Sequence, residues 1–405
     1  MKIIFHRGGK EIGGNCIEIQ SGNEKILLDI GKPITNKDLE GCILEGSFYD
    51  GVLLSHIHID HYGLLNRLSK DTKVFCSAAA KDILDVNQIF LRQDHYSFNF
   101  NVFESYKSFN IGSFEIIPFL QDHSAFDSHG FLIRAEGKTI IYTGDFRNHG
   151  RKPYVYKKLL NLIKNEKISL LITEGTTLKR ECEMVKTEDE IADDLTSAIS
   201  NVTGLVMICF SPQNIDRLVS IYKSARKTGR IFIIDIYTAY LLSILSNYTK
   251  IPTANFRNMN VYYPKNQIKK LLKMNMSDIL EGFRSRRIFP DKIKADPEKY
   301  IMLIRPSMVD ELDDLEVSLL IYSMWQGYLK NEDMNKMKEW CINKNAQFKS
   351  IHTSGHMSVD FFIEFIEKIN PEIIKIIHTE GINEAYPQLK KYENDIADNG
   401  DVLII

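Results

Sequence analysis

The sequence predicts an α/β protein of two domains, on three observations. Its 405 residues exceed the roughly 250–300 over which one hydrophobic core usually grows. The first half reads as short β-branched runs broken by Gly, Asn and Asp, which are strand signals. From about Glu188 the texture changes to strand–helix alternation, which indicates a doubly wound unit with a parallel sheet. Hydrophobic residues at 44% and charged residues at 26%, with a mean hydropathy of −0.20, match soluble globular chains and argue against disordered, collagenous and membrane classes.

Taken in order, strands are expected over residues 2–5, 16–20, 25–29, 51–55 and 73–76, where Val, Ile, Leu and Phe runs end at turn residues. A helix follows over 79–90, then strands over 114–120, 130–135, 139–142 and 170–173. The alternating region gives helix 189–200, strand 204–210, helix 214–228 and strand 230–235, followed by another helix. The closing part gives strand 347–351, helix 358–369 and strands 373–377 and 401–405.

Between Pro264 and Arg305 lies a basic segment that includes Lys269, Lys270, Lys273, Arg284, Arg286 and Arg287. It reads either as a solvated amphipathic face or as a patch facing nucleic acid. A formal net charge of −2 excludes a chain that coats nucleic acid through uniform basicity, so any polyanion site must be local. The six cysteines stand far apart without a C-x-x-C pair, so reduced thiols are expected. No apolar run approaches the roughly 18 residues of a spanning helix, and the N-terminus lacks a signal-peptide pattern. The expectation is a cytoplasmic chain with no membrane partner.

The strongest chemical signal is His56-Ile-His58-Ile-Asp60-His61, directly after the apolar run Gly51–Ser55. In an extended segment His56, His58 and Asp60 share a face, and a turn into a helix can bring His61 round. Imidazole suits zinc and a carboxylate adds a hard oxygen, so the cluster can hold two metal ions.

This His-x-His-x-Asp-His run resembles the signature of the metallo-β-lactamase superfamily, and further pieces follow in the order that family has them. Asp29, closing the run Lys25–Asp29, matches the acid that supports the ligand loop. His123 in Asp-His-Ser and Asp145 in Thr-Gly-Asp-Phe match the third histidine and the carboxylate shared by both metals. Glu174 in Thr-Glu-Gly, His356 in His-Thr-Ser-Gly-His and His378 in Ile-Ile-His-Thr-Glu resemble the extra motifs of the β-CASP nucleases, with ribonuclease J the nearest likeness. The opening Gly8-Gly-Lys-Glu-Ile-Gly-Gly-Asn15 is similar to that family's first loop. The likeness is poor over about residues 240–340. The chain also stops where ribonuclease J proteins carry a further domain, and His378 is followed by Thr-Glu where Gly-Glu is usual.

The resemblance implies an αββα metallo-β-lactamase sandwich over 1–188 and 346–405, with a β-CASP domain inserted at 189–345. It implies two Zn2+ per chain, with Mn2+ as the alternative, held by His56, His58, Asp60, His61, His123, Asp145 and His378 and supported by Asp29. Asp60, Glu174 and His356 are the expected catalytic residues. Substrate contacts are expected from Ser354, Gly355 and His356, and from Ser211 and Asn214, although capping of the next helix explains Asn214 equally well. Tyr262, Tyr263 and Phe283 are candidates for base stacking or for the core, and His352 reads as a structural neighbour of the loop. The implied activity is hydrolysis of single-stranded RNA, exo- or endonucleolytic, leaving 5′-phosphate and 3′-hydroxyl ends. The alternatives are a DNA nuclease, a small-molecule ester, thioester or lactone hydrolase on the same site, or a non-catalytic RNA-binding subunit. Homodimerisation is left open.

Overall fold

The computed structural model describes residues 1–34, 43, 45–91, 96–180 and 185–405. They form two compact units, the first being Met1–Leu84, Asp94–Val185 and Gly355–Ile405, and the second Asp85–Gln93 and Lys186–Ser354.

The first unit holds two sheets. One runs in the order Val402–Ile404, Lys2–Arg7, Cys16–Ser21, Glu24–Leu28, Gly51–Leu53, Lys73–Ser77 and Asn99–Phe103. The other runs Ile374–Ile377, Leu170–Glu174, Lys138–Tyr142, His129–Ala135, Phe114–Leu120 and Phe109–Ile111. Period-two alternation decides what each face of the second sheet packs against. Phe131, Ile133 and Ile140 join Phe5, Ile17 and Ile26 of the first sheet in one core. The intervening Leu132 and Ile141 meet Leu159 of the helix Tyr154–Leu162 and Phe362 and Phe365 of the helix Val359–Ile369. Burial on both faces is why these strands read as unbroken apolar runs.

The second unit is one parallel sheet in the order Met259–Tyr262, Ile231–Asp235, Tyr300–Leu303, Val206–Cys209, Leu319–Tyr322 and Gln347–Ser350. The chain enters in the middle, winds to one edge, returns, and then winds to the other. Thr187 closes a reciprocal capping box with Glu190 to start the helix Glu188–Ser200. The unit extends past the expected 189–345 to Ser354, because Gln347–Ser350 pairs with Leu319–Tyr322. It also takes in Asp85–Gln93 from the earlier chain.

Expected strands and helices recur with ends shifted by a residue or two, as at Gly51–Leu53 and Val206–Cys209. Cys16, Cys76, Cys209 and Cys341 are buried, whereas Cys42 and Cys182 lie outside the described residues. Tyr262 and Tyr263 are buried, and Tyr263 donates to the Leu280 carbonyl. Both therefore belong to packing rather than to a stacking surface. Among the described residues, no helix is long and apolar enough to cross a membrane.

Candidate metal centre

Asp29, the His56–His61 run, Asp145, Glu174 and His378 follow strands that have a parallel neighbour, whereas His123 follows Phe114–Leu120, which is antiparallel to both of its neighbours. Leu28 pairs with Leu53 and the Asp29 N–H donates to the Leu53 carbonyl at 3.0 Å, which sets Asp29 level with Ser55. Tyr142 pairs with Ile172 and Glu174 with Ile377, so Asp145, Glu174 and His378 leave neighbouring strand ends. His378 adopts a left-handed backbone (φ 53°), and its N–H donates to the Gly8 carbonyl at 2.5 Å. Gly31 is required where the chain passes the ligand loop, since a Cβ there would lie 1.6 Å from the Asp60 carbonyl oxygen.

Three sets of possible ligand atoms gather, each within 4.8 Å. They are His56, His58 and His123; Asp60, His61, Asp145 and His378; and Asp145, Glu174, His356 and His378. In the first set His58 Nδ1 lies 3.1 Å from His56 Nε2 and 3.3 Å from His123 Nε2. Zinc–nitrogen bonds of 2.0–2.1 Å in tetrahedral array require ligand separations of about 3.3 Å. Asp145 joins the sets. Its Oδ2 lies 3.2 Å from His61 Nε2, 3.9 Å from His56 Nε2, 4.0 Å from both His123 Nε2 and His378 Nε2, and 3.8 Å from His356 Nδ1. Asp60 Oδ2 is 3.2 Å from His378 Nε2 and 3.8 Å from His61 Nε2.

Hydrogen bonds behind these residues fix which nitrogen faces inward. Ser55 Oγ donates to Asp29 Oδ2 at 2.7 Å and accepts from His56 Nδ1 at 3.0 Å. His61 Nδ1 donates to Asp29 Oδ2 at 2.8 Å, and the Tyr142 hydroxyl donates to the same oxygen at 2.5 Å. His123 Nδ1 donates to the Gly355 carbonyl at 2.6 Å. His378 Nδ1 donates to Thr176 Oγ1 at 2.7 Å, which donates to Glu174 Oε2 at 2.5 Å. In His56 and His123 the Nε2 lone pair is therefore left for the interior, the arrangement metal-binding histidines use, and in His61 and His378 Nε2 is the nitrogen turned toward the Asp145 and Asp60 carboxylates.

The electrostatics agree with a cation site. Burial pushes His56 and His123 well below the ordinary imidazole range and His58 down to about 4, so these three rings are neutral and their lone pairs converge. Asp60 resists burial and is held down at about 2 by His61 and His378. Burial would lower His61 and His378, but Asp145 and the other carboxylates raise both. Asp145 Oδ1 is buried without a hydrogen-bond partner. Converging neutral lone pairs beside an unpartnered carboxylate oxygen fit divalent metal and are costly without a cation.

His356 stands at the edge of this cluster, with Nδ1 3.1 Å from Glu174 Oε2. Glu174 is otherwise occupied in holding Thr176 and the Phe146 N–H. Gly355 supplies a carbonyl that orients His123. Ser211, Asn214 and Ser354 lie in the second unit. There Asn214 caps the helix Ile215–Lys227 by accepting from the Arg217 N–H at 3.0 Å, and His352 Nδ1 lies 3.4 Å from Arg217 Nη1. Sequence reading missed Ser55, Tyr142, Thr176 and the Gly355 carbonyl as orienting groups. The first three neighbour motif residues, but nothing local to them reports a hydrogen bond across strands.

A model of the β-lactamase superfamily domain matches residues 44–206. An RNase J-like protein of Methanocaldococcus jannaschii is 23% identical, the match covering 93% of this chain and 92% of that one. The chain resembles ribonuclease J. The ribonuclease J of Helicobacter pylori is likewise 23% identical over 94% of this chain, which spans only 56% of that relative's length. A solved structure of a protein of unknown function from Enterococcus faecalis V583 superposes with a TM-score of 0.78, covering 100% of this chain and 99% of that one at 21% identity. It shares the fold. Most of the residues that match the β-lactamase superfamily model lie in the two-sheet unit.

Proposed function

We propose that this chain is a metal-dependent ribonuclease that hydrolyses phosphodiester bonds of single-stranded RNA. The observation that carries the reading is the convergence on Asp145 of the two ligand sets, His56, His58 and His123 with Asp60, His61 and His378. The first set would hold one Zn2+ and the second another, with Asp145 shared and Mn2+ as the alternative. Two such ions supply hydroxide at neutral pH and neutralise charge on a phosphodiester. Asp29, Thr176 and the Gly355 carbonyl keep His61, His378 and His123 in the ligating tautomer. His356, whose Nδ1–H donates to Glu174, keeps Nε2 for a proton that it gives to the leaving oxygen, a role worth typically 10²–10⁴-fold. The expected products carry 5′-phosphate and 3′-hydroxyl ends, and the relatives named as ribonuclease J support RNA as the substrate.

The test is cleavage of one oligonucleotide sequence, made as 5′-monophosphorylated RNA and as DNA, by wild type, by Asp60→Ala and by chelator-treated protein. RNA cut by the metal-loaded wild type alone is the expected result. Equal cutting of DNA would widen the substrate. No cutting of either polymer by fully metallated protein would turn the site toward small esters.

A further inference from the structure

The basic segment of the second unit is not used by the metal centre. Residues 264–305 carry eleven Lys and Arg against five Asp and Glu, a net of +6 in a chain whose total is −2. In the helix Lys265–Lys273 the buried side is built on Leu271, and Gln267 turns inward to donate to Asp235 Oδ2 at 2.8 Å. Lys265, Lys269 and Lys273 are exposed. Their i, i+4, i+8 spacing places them in one row about 6 Å apart, from 1.5 Å rise per residue. Leu272 beside them is 53% exposed.

Just after the edge strand Met259–Tyr262, Arg287 lies alongside Val261 and its guanidinium is held between two rings, 4.6 Å from Tyr263 and 4.5 Å from Phe289. Phe289 is 54% exposed. The neighbouring carboxylates are largely engaged elsewhere. Glu311 accepts the Lys265 backbone N–H at 2.9 Å, and Glu281 pairs with Arg284 at 3.2 Å; Asp278 is exposed on the next short helix. Lys294 and Lys299 are paired with Asp314 and Asp296. Among the described residues, Lys265, Lys269, Lys273 and Arg287 make no salt bridge to a carboxylate. A row of uncompensated cations and, in the same basic segment, a ring-held guanidinium with an exposed phenyl ring supply the two parts of single-strand binding surfaces, backbone charge and a stacking face.

We propose that Lys265, Lys269, Lys273 and Arg287, with Phe289, form a sequence-independent surface on the second unit that binds the phosphate backbone of single-stranded RNA. This rests on the ribonuclease reading and names the part of the chain that retains the polymer.

The test uses the full chain with chelator present, so that RNA stays intact, and an unstructured 20-nucleotide RNA followed by fluorescence anisotropy at several salt concentrations. Each phosphate contact contributes about 0.7 to the slope of log affinity against log salt for a single strand. The triple variant Lys265→Gln, Lys269→Gln, Lys273→Gln should flatten the slope by about 2 and weaken binding about 100-fold at 0.1 M salt. Arg287→Gln alone should flatten it by about 0.7. Single-stranded DNA of the same length should lose as much, because the contacts are to phosphate. Substitutions on a solvent face leave the fold intact, which unchanged circular dichroism verifies. Unchanged affinity and slope in a triple variant whose wild-type parent binds and cuts RNA would overturn the surface alone. A loss of binding to polyglutamate without loss of RNA affinity would overturn it in favour of an acidic protein partner. Wild type that neither binds nor cuts RNA would instead bring down the underlying reading.

Discussion

Asp29→Asn tests the proposed second metal site apart from the first. The carboxylate is fully buried and accepts four hydrogen bonds: the Ser55 N–H at 2.8 Å, Ser55 Oγ at 2.7 Å, His61 Nδ1 at 2.8 Å and the Tyr142 hydroxyl at 2.5 Å. Asn has the same shape and tolerates the left-handed backbone at this position (φ 57°), so the turn survives. The amide must, however, place its NH2 either where Oδ2 meets His61 and the two hydroxyls or where Oδ1 meets the Ser55 N–H. Facing His61, it makes Nδ1 an acceptor and moves the proton to Nε2, which removes the lone pair that a metal needs. Loss of such an orienting partner typically costs 10–100-fold in metal affinity or activity, or about 1.4–2.7 kcal/mol at 1.36 kcal/mol per factor of ten. The cost should fall on the ion held by Asp60, His61 and His378, leaving the one at His56, His58 and His123. Chelator competition should show one tight and one weakened metal, and RNA cleavage should fall in the same proportion. Two metals bound with wild-type affinity would refute the idea that Asp29 sets the His61 tautomer.

Other expectations follow from the same structure. Gly31→Ala forces a Cβ against the Asp60 carbonyl, so the ligand loop must shift and both metal content and cleavage should drop although Gly31 touches no metal. Asn214→Ala removes a helix cap and should lower stability by about 1 kcal/mol in denaturant titration, with metal content unchanged. Burial alone would raise the Asp235 carboxyl, but Arg305 at 2.6 Å, with Thr238 and Gln267, holds it below the usual range. Its stabilising contribution is therefore present in full above the unfolded value of about 3.9 and is lost as pH falls through the depressed native value. Asp235→Asn should flatten that acid limb and cost roughly 3–5 kcal/mol at neutral pH by stranding Arg305, measured as unfolding free energy against pH.

Much of the centre was legible in the sequence because its chemistry is local. His56 to His61 fall within six positions behind one apolar strand, and Asp145, Glu174 and His378 each end an apolar run whose parallel neighbours bring the ends together. What could not be read is long-range or short. The Gly355 carbonyl meets His123 across 232 residues, and no pattern in either segment encodes that meeting. Tyr142 looks like the last residue of a buried strand, and only the other sheet reveals why its hydroxyl is needed. Tyr300–Leu303 and Leu319–Tyr322 are four-residue apolar runs amid charged, helix-like surroundings, too brief for periodicity to distinguish from a buried helical turn. The basic segment could be read for charge but not for exposure, since Lys270 donates to the Leu91 carbonyl while Lys269 faces solvent.

The proposed centre is two ions sharing Asp145, and the most direct measurement is metal content per chain alongside RNA cleavage for wild type and Asp145→Ala. About two metals and efficient cleavage in wild type, with both falling together in the variant by 10²-fold or more in rate, is the predicted result. Cleavage that survives the loss of metal from the variant would contradict it.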